Sequence, residues 1–116
     1  MTRISKRHKY EILINAIQRR VKLLDYISPF VSGPQRISFI AEKNCLRNIE
    51  QDLNLRTCDG IYFKLQTLFD ICRTWEQKSN EIINGGVNDN PSKFGQYCAY
   101  KFVIDLYDCM PEYWPN

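Results

Sequence analysis

Apolar residues recur along this chain in four periodic segments, separated by three stretches rich in Gly, Pro, Asn, Asp and Ser. The separating stretches are "SPFVSGP" (28–34), "RTCDG" (56–60) and "NGGVNDNPS" (84–92). Each has the residues that turns require, since Gly reaches positive φ, Pro fixes φ, and Asn, Asp and Ser bond their own backbone.

The first segment covers about 6–27. Tyr10, Leu13, Ile14, Ile17, Val21 and Leu24 recur at helical spacing and form one stripe. Ile12, Ala16, Leu23 and Ile27 form a second stripe beside it, which leaves only Glu11, Asn15, Gln18, Arg19, Lys22 and Asp25 for solvent. So wide an apolar arc predicts a helix that is central in a bundle or that meets a partner. Pro29 ends it.

The second segment starts at Pro34, a favoured first helical position, with Ser32 or Gly33 as cap, and reaches about Leu53. Phe39, Leu46, Ile49 and Leu53 are its predicted core. Glu42 interrupts that stripe, Ile37 and Ile40 lie off it, and the pattern leaves room for a break near the start.

Ile61, Leu65, Leu68, Cys72, Trp75, Ser79 and Ile82 alternate steps of four and three, the seam of a helix in a bundle. Thr57 or Asp59 can cap this third helix, and Asn84-Gly85-Gly86 can stop it with a left-handed turn. The fourth segment opens at Asn90-Pro91-Ser92 and extends to about Met110. Its apolar residues point in nearly every direction on a helical wheel. Cys98, Tyr100, Phe102, Ile104 and Leu106 also alternate as a strand would, but a lone strand has nothing to pair with. A helix buried on most sides is the better reading. The predicted fold is therefore all-α: one domain over 1–116, a compact bundle of about four helices with short loops, which favours antiparallel neighbours. A basic arm (1–9) precedes it and an aromatic tail (111–116) follows.

Charge sharpens this picture at one end. Residues 1–22 hold seven Lys and Arg against Glu11, a balance of +6, while the rest of the chain carries −3 and has no base after Lys101. Arg3, Lys6, Arg7, Lys9, Arg19 and Lys22 are candidate phosphate contacts for a nucleic acid. Helix geometry divides the set. Arg19 and Lys22 face solvent, whereas Arg20 falls inside the apolar arc, so it must snorkel, pair with an acid of another helix or lie in an interface. A helix-turn-helix fails in "ISFIAEKNCLRNIEQDLNL", which lacks a turn glycine and places Gln51 where an apolar residue belongs.

Five cysteines, Cys45, Cys58, Cys72, Cys98 and Cys109, lie no closer than eleven residues apart, and His8 is the one histidine. Zinc sites use ligand pairs two to four residues apart, so no metal or other cofactor is expected. No base is placed to activate a thiol. With no apolar run long enough to span a membrane and no secretory signal pattern, reduced thiols in the cytoplasm or nucleus are expected. Phosphate-binding loops are absent, and Glu50 and Asp52 point apart on their helix.

One short stretch, "RISKRH", spaces Arg3 and His8 as R-x4-H and resembles the motif of the HEPN family of helical-bundle ribonucleases. The resemblance covers six residues and implies RNA cleavage by the Arg and His. Ile4 stands where the family often has a polar residue, and the motif lies in the first segment, whereas the family carries it near a later helix. No catalytic role is carried across.

The expected function is a small non-enzymatic binding protein, a regulator, inhibitor or adaptor, acting on another protein or on itself rather than on a small molecule or membrane. Ile12, Arg20, Leu23, Tyr113 and Trp114 are its expected interface, because the first and fourth segments show more apolar perimeter than four helices easily bury. Tyr113 and Trp114 either serve there as an exposed anchor or fold back to cap the bundle. The alternative is a nucleic-acid-associated protein using the basic segment.

Overall fold

Four helices and one short turn make up the fold: α1 (Lys6–Ile27), a 3-10 turn (Ser28–Phe30), α2 (Gly33–Arg56), α3 (Leu65–Asn84) and α4 (Pro91–Cys109). The computed structural model describes residues 5–56, 65–86 and 90–110, except the side chains of 6, 7, 55, 56, 65–69, 71 and 72. The fold is all-α as the periodicity predicts, with no strand among the described residues.

Local chemistry sets the helix ends. Ser5 Oγ accepts the His8 amide at 3.1 Å and caps α1, so residues 6–9 of the expected basic arm are wound into the first turn. Ser28 Oγ donates to the Leu24 carbonyl at 2.5 Å, and Pro29 follows. Gly33 enters α2 with φ +62°, a conformation that costs a side-chain-bearing residue more, and Pro34 comes next. α2 then continues without the break its pattern allowed. α3 stops as expected: the Gly85 amide bonds the Glu81 carbonyl at 3.0 Å, and Gly86 takes φ +86°. The caps suggested at Thr57 and Asp59, with Ile61, lie outside the described residues. Asn90 Oδ1 accepts the Lys93 amide at 3.0 Å to cap α4, with Pro91 in the first turn.

The core takes Leu13, Ile17 and Leu24 from α1, Cys45, Leu46, Ile49 and Leu53 from α2, Trp75 from α3, and Ala99, Val103 and Ile104 from α4. Ser79, on the predicted α3 seam, is buried beside them. Phe39, assigned to the core by spacing, is only partly buried, and Ile37 and Ile40 are exposed.

The neighbours differ from a simple up-and-down order. α1 and α2 run antiparallel, since Tyr10 bonds Asn54 while Arg20 bonds Glu42. α2 and α4 run parallel: Ser38 Oγ donates to the Pro91 carbonyl at 2.8 Å, and Cys45 Sγ to the Gln96 carbonyl at 3.9 Å. Their contact is the most extensive in the molecule. Gly95 permits it. A Cβ there would collide with the Ser38 carbonyl oxygen and lie 2.9 Å from both Ala41 Cβ and the Glu42 amide. α4 also packs against α3 and touches α1. Contact with all three other helices explains why its apolar residues surround it. The strand-like alternation is incidental, because it distributes side chains around a helix.

Candidate protein-binding groove

Arg20 and Glu42 each break the apolar pattern of their own helix, and they do so at the same place. Arg20 Nε donates to Glu42 Oε2 at 2.6 Å and Nη2 donates to Oε1 at 3.2 Å. This two-pronged geometry is the strong form of an arginine–carboxylate contact. The Glu42 side chain is 4% exposed and that of Arg20 34%, so the acid is held inside while the base reaches outward. Hydrogen bonding to Glu42 outweighs burial and raises the Arg20 pKa from its already high value, which keeps the guanidinium charged. Its carbon lies 5.9 Å from the centre of the Phe102 ring, a cation–π contact. One side chain of α1 thus engages α2 and α4 together. Burial first, and then the Glu42 charge, push the nearby Cys98 thiol up, so it stays protonated.

Beside this pair, α1 and α4 leave a groove of about 550 Å³ lined by Ile12, Asn15, Ala16, Arg19, Arg20, Leu23 and Phe102. The floor is apolar: Ile12, Ala16 and Phe102 are half-buried, and Leu23 is 47% exposed. No acid lines it. Among the described residues, the second apolar stripe of α1 is only partly covered: Ile12, Ala16 and Ile27 are half-buried and Leu23 is exposed, because α1 and α4 touch only sparingly. Past Leu23 the apolar surface continues to Tyr26 and Phe30, 72% and 77% exposed, whose rings tilt against each other at 5.9 Å.

No family model, curated protein or solved structure matches this chain.

Three of the five expected interface residues, Ile12, Arg20 and Leu23, line the groove together. Tyr113 and Trp114 lie outside the described residues. Of the candidate phosphate contacts, Arg19 lines the groove, Lys22 is exposed one turn on, and Lys9 is half-buried near the start of α1. Lys6 and Arg7 belong to the first turn, with side chains that are not described. Arg3 lies outside the described residues, and with it the Arg3–His8 pairing of the HEPN-like motif. Spacing alone did not single out Phe102 or Asn15. Glu42 was visible as a flaw in the α2 stripe, and the flaw is where the site is built.

The described cysteines Cys45, Cys98 and Cys109 are free thiols. Burial holds the Cys45 thiol at a pKa of about 11. Tyr100, hydrogen-bonded to it, is pushed up to about 12, chiefly by burial. Neither is ionised near neutral pH. No described helix is long and apolar enough to cross a membrane.

Proposed function

We propose that this protein is a small non-enzymatic binding protein, a regulator, inhibitor or adaptor that acts through protein–protein contacts on the α1/α4 groove. The observation that carries this reading is the groove itself. Ile12, Ala16, Leu23 and Phe102 present apolar surface to water beside a guanidinium fixed by Glu42. Such a surface costs free energy in the free protein and returns it when covered. Arginine is also enriched among interface hot spots. We assign its action to the cytoplasm or nucleus, with its thiols reduced, because the cysteines are odd in number and Cys45, Cys98 and Cys109 are free.

The competing reading is phosphate binding by the basic segment. It draws on Arg19 and Lys22, both exposed and one turn apart on α1. One experiment separates the two. Tagged wild-type protein and a Leu23→Glu variant, each checked for helicity by circular dichroism, are used to capture partners from source-cell extract with and without nuclease. Protein capture that survives nuclease and is lost in Leu23→Glu is the expected result. Capture abolished by nuclease, or indifferent to Leu23→Glu, would sink the groove reading.

A further inference from the structure

We propose that the groove receives an acidic amphipathic helix of another protein. Its apolar side would lie on Ile12, Ala16, Leu23 and Phe102, with a carboxylate turned toward Arg19. This rests on the protein-binding reading and names the occupant.

Shape is the first argument. Residues 12, 16, 19 and 23 lie on one face of α1 at steps of four and three, so the groove runs along the helix axis for roughly three turns. A helix laid in it offers side chains at matching spacing, while its backbone is already satisfied internally. An extended peptide would want a sheet edge, and the described residues contain no strand.

Charge is the second argument. Glu42 takes the Nε–H and one Nη2–H of Arg20 and balances its charge, so that residue offers a partner its apolar stem and its remaining N–H donors but little net charge. Arg19 has no hydrogen-bond or ion-pair partner among the described residues, and Lys22 stands exposed beside it. No acid is among the described lining residues, so Arg19, with Lys22 one turn on, sets the sign of charge at the open side of the groove. An acidic helix matches it, while a basic helix is repelled.

The same facts weigh against a second copy. A two-fold contact would bring Arg19 and Lys22 of both copies into one interface with no acid from the described lining to balance them.

The test uses two fluorescein-labelled peptides of about sixteen residues, roughly four and a half turns. Both carry Leu at i, i+4, i+7 and i+11, one with Glu and the other with Lys among alanines on the remaining face. Anisotropy titration of the full chain should show the acidic peptide binding at least about fivefold more tightly. Arg19→Glu should remove that preference, Leu23→Glu should weaken both peptides, and amide shifts should cluster at residues 12, 16, 23 and 102. Equal affinities, no binding of the acidic peptide, or shifts elsewhere would overturn the acidic helix. So would a wild-type dimer that Leu23→Glu disperses in sedimentation, since the occupant would then be a second copy. If extract capture depends on Leu23 while the acidic peptide shows no advantage, only this proposal fails. Capture that ignores Leu23 removes the underlying reading as well.

Discussion

Arg20 and Glu42 are joined by two hydrogen bonds across the α1/α2 contact, with the acid 4% exposed and the base 34%. That asymmetry makes the two single substitutions unequal. Arg20→Met strands a buried carboxylate and should cost about 3 kcal/mol in urea unfolding. Glu42→Met leaves a guanidinium that can turn toward water, and should cost about half as much. The double variant should recover most of the loss, as hydrophobic replacements of buried ion pairs often do. Equal single costs that simply add would contradict the coupling described here.

Leu23 and Leu24 are adjacent in sequence but opposite in environment, 47% and 0% exposed. Leu24→Ala should destabilise by about 2–5 kcal/mol through the cavity it leaves. Leu23→Ala should stay within about 0.5 kcal/mol, as surface substitutions usually do. A large loss from Leu23→Ala in thermal or urea unfolding would mean that the groove is closed in solution.

Gly95→Ala should reverse the ordinary helix rule. In an exposed helix the change gains about 1 kcal/mol. Here the new Cβ meets backbone of α2, which cannot rotate away, so a loss of about 2–3 kcal/mol is expected from calorimetric or chemical unfolding.

The thiols provide a readout of burial and of pH. Cys109 is exposed and should react with iodoacetamide in the native protein, while Cys45 should react only on unfolding, as peptide mass mapping would show. Folding holds the Cys45 proton until about pH 11, against an ordinary 9.0. The folded state therefore binds more protons than the unfolded chain between those values. Stability from this thiol is complete below pH 9 and falls as the pH rises toward 11, by on the order of 2 kcal/mol. Tyr100 acts in the same direction from pH 10 to about 12. Cys45→Val should flatten the first part of that decline.

The helices and their ends were legible in the sequence because local chemistry decides them. Pro29, Gly86 and Asn90 with Pro91 act within a few residues of themselves, and the helical spacing of Leu13, Ile17 and Leu24 needs no knowledge of the partner. The Ser5 cap was passed over, because the charges around it read as an arm. The surplus apolar arc of α1 was legible for the same reason, and it led to Ile12 and Leu23. What covers each face was not legible. Phe102 looked like one of many apolar residues on α4 until the parallel pairing of α2 and α4 set it beside Arg20. That pairing depends on Gly95, whose missing side chain gives no periodic signal. Arg20 and Glu42 were each visible as an exception in its own helix, and only the three-dimensional fold shows that one exception answers the other.

The parallel contact of α2 and α4 joins positions 53 residues apart, from Ser38 to Pro91. Ribosomes make α4 after the other three helices, yet α4 packs against α2 and α3 and touches α1. A nascent chain that has emerged only through α3 lacks the helix that brings Gly95 against Ser38, Ala41 and Glu42 of α2. Until α4 clears the exit tunnel, that face of α2 is available to chaperones, and the native fold forms only when the fourth helix arrives.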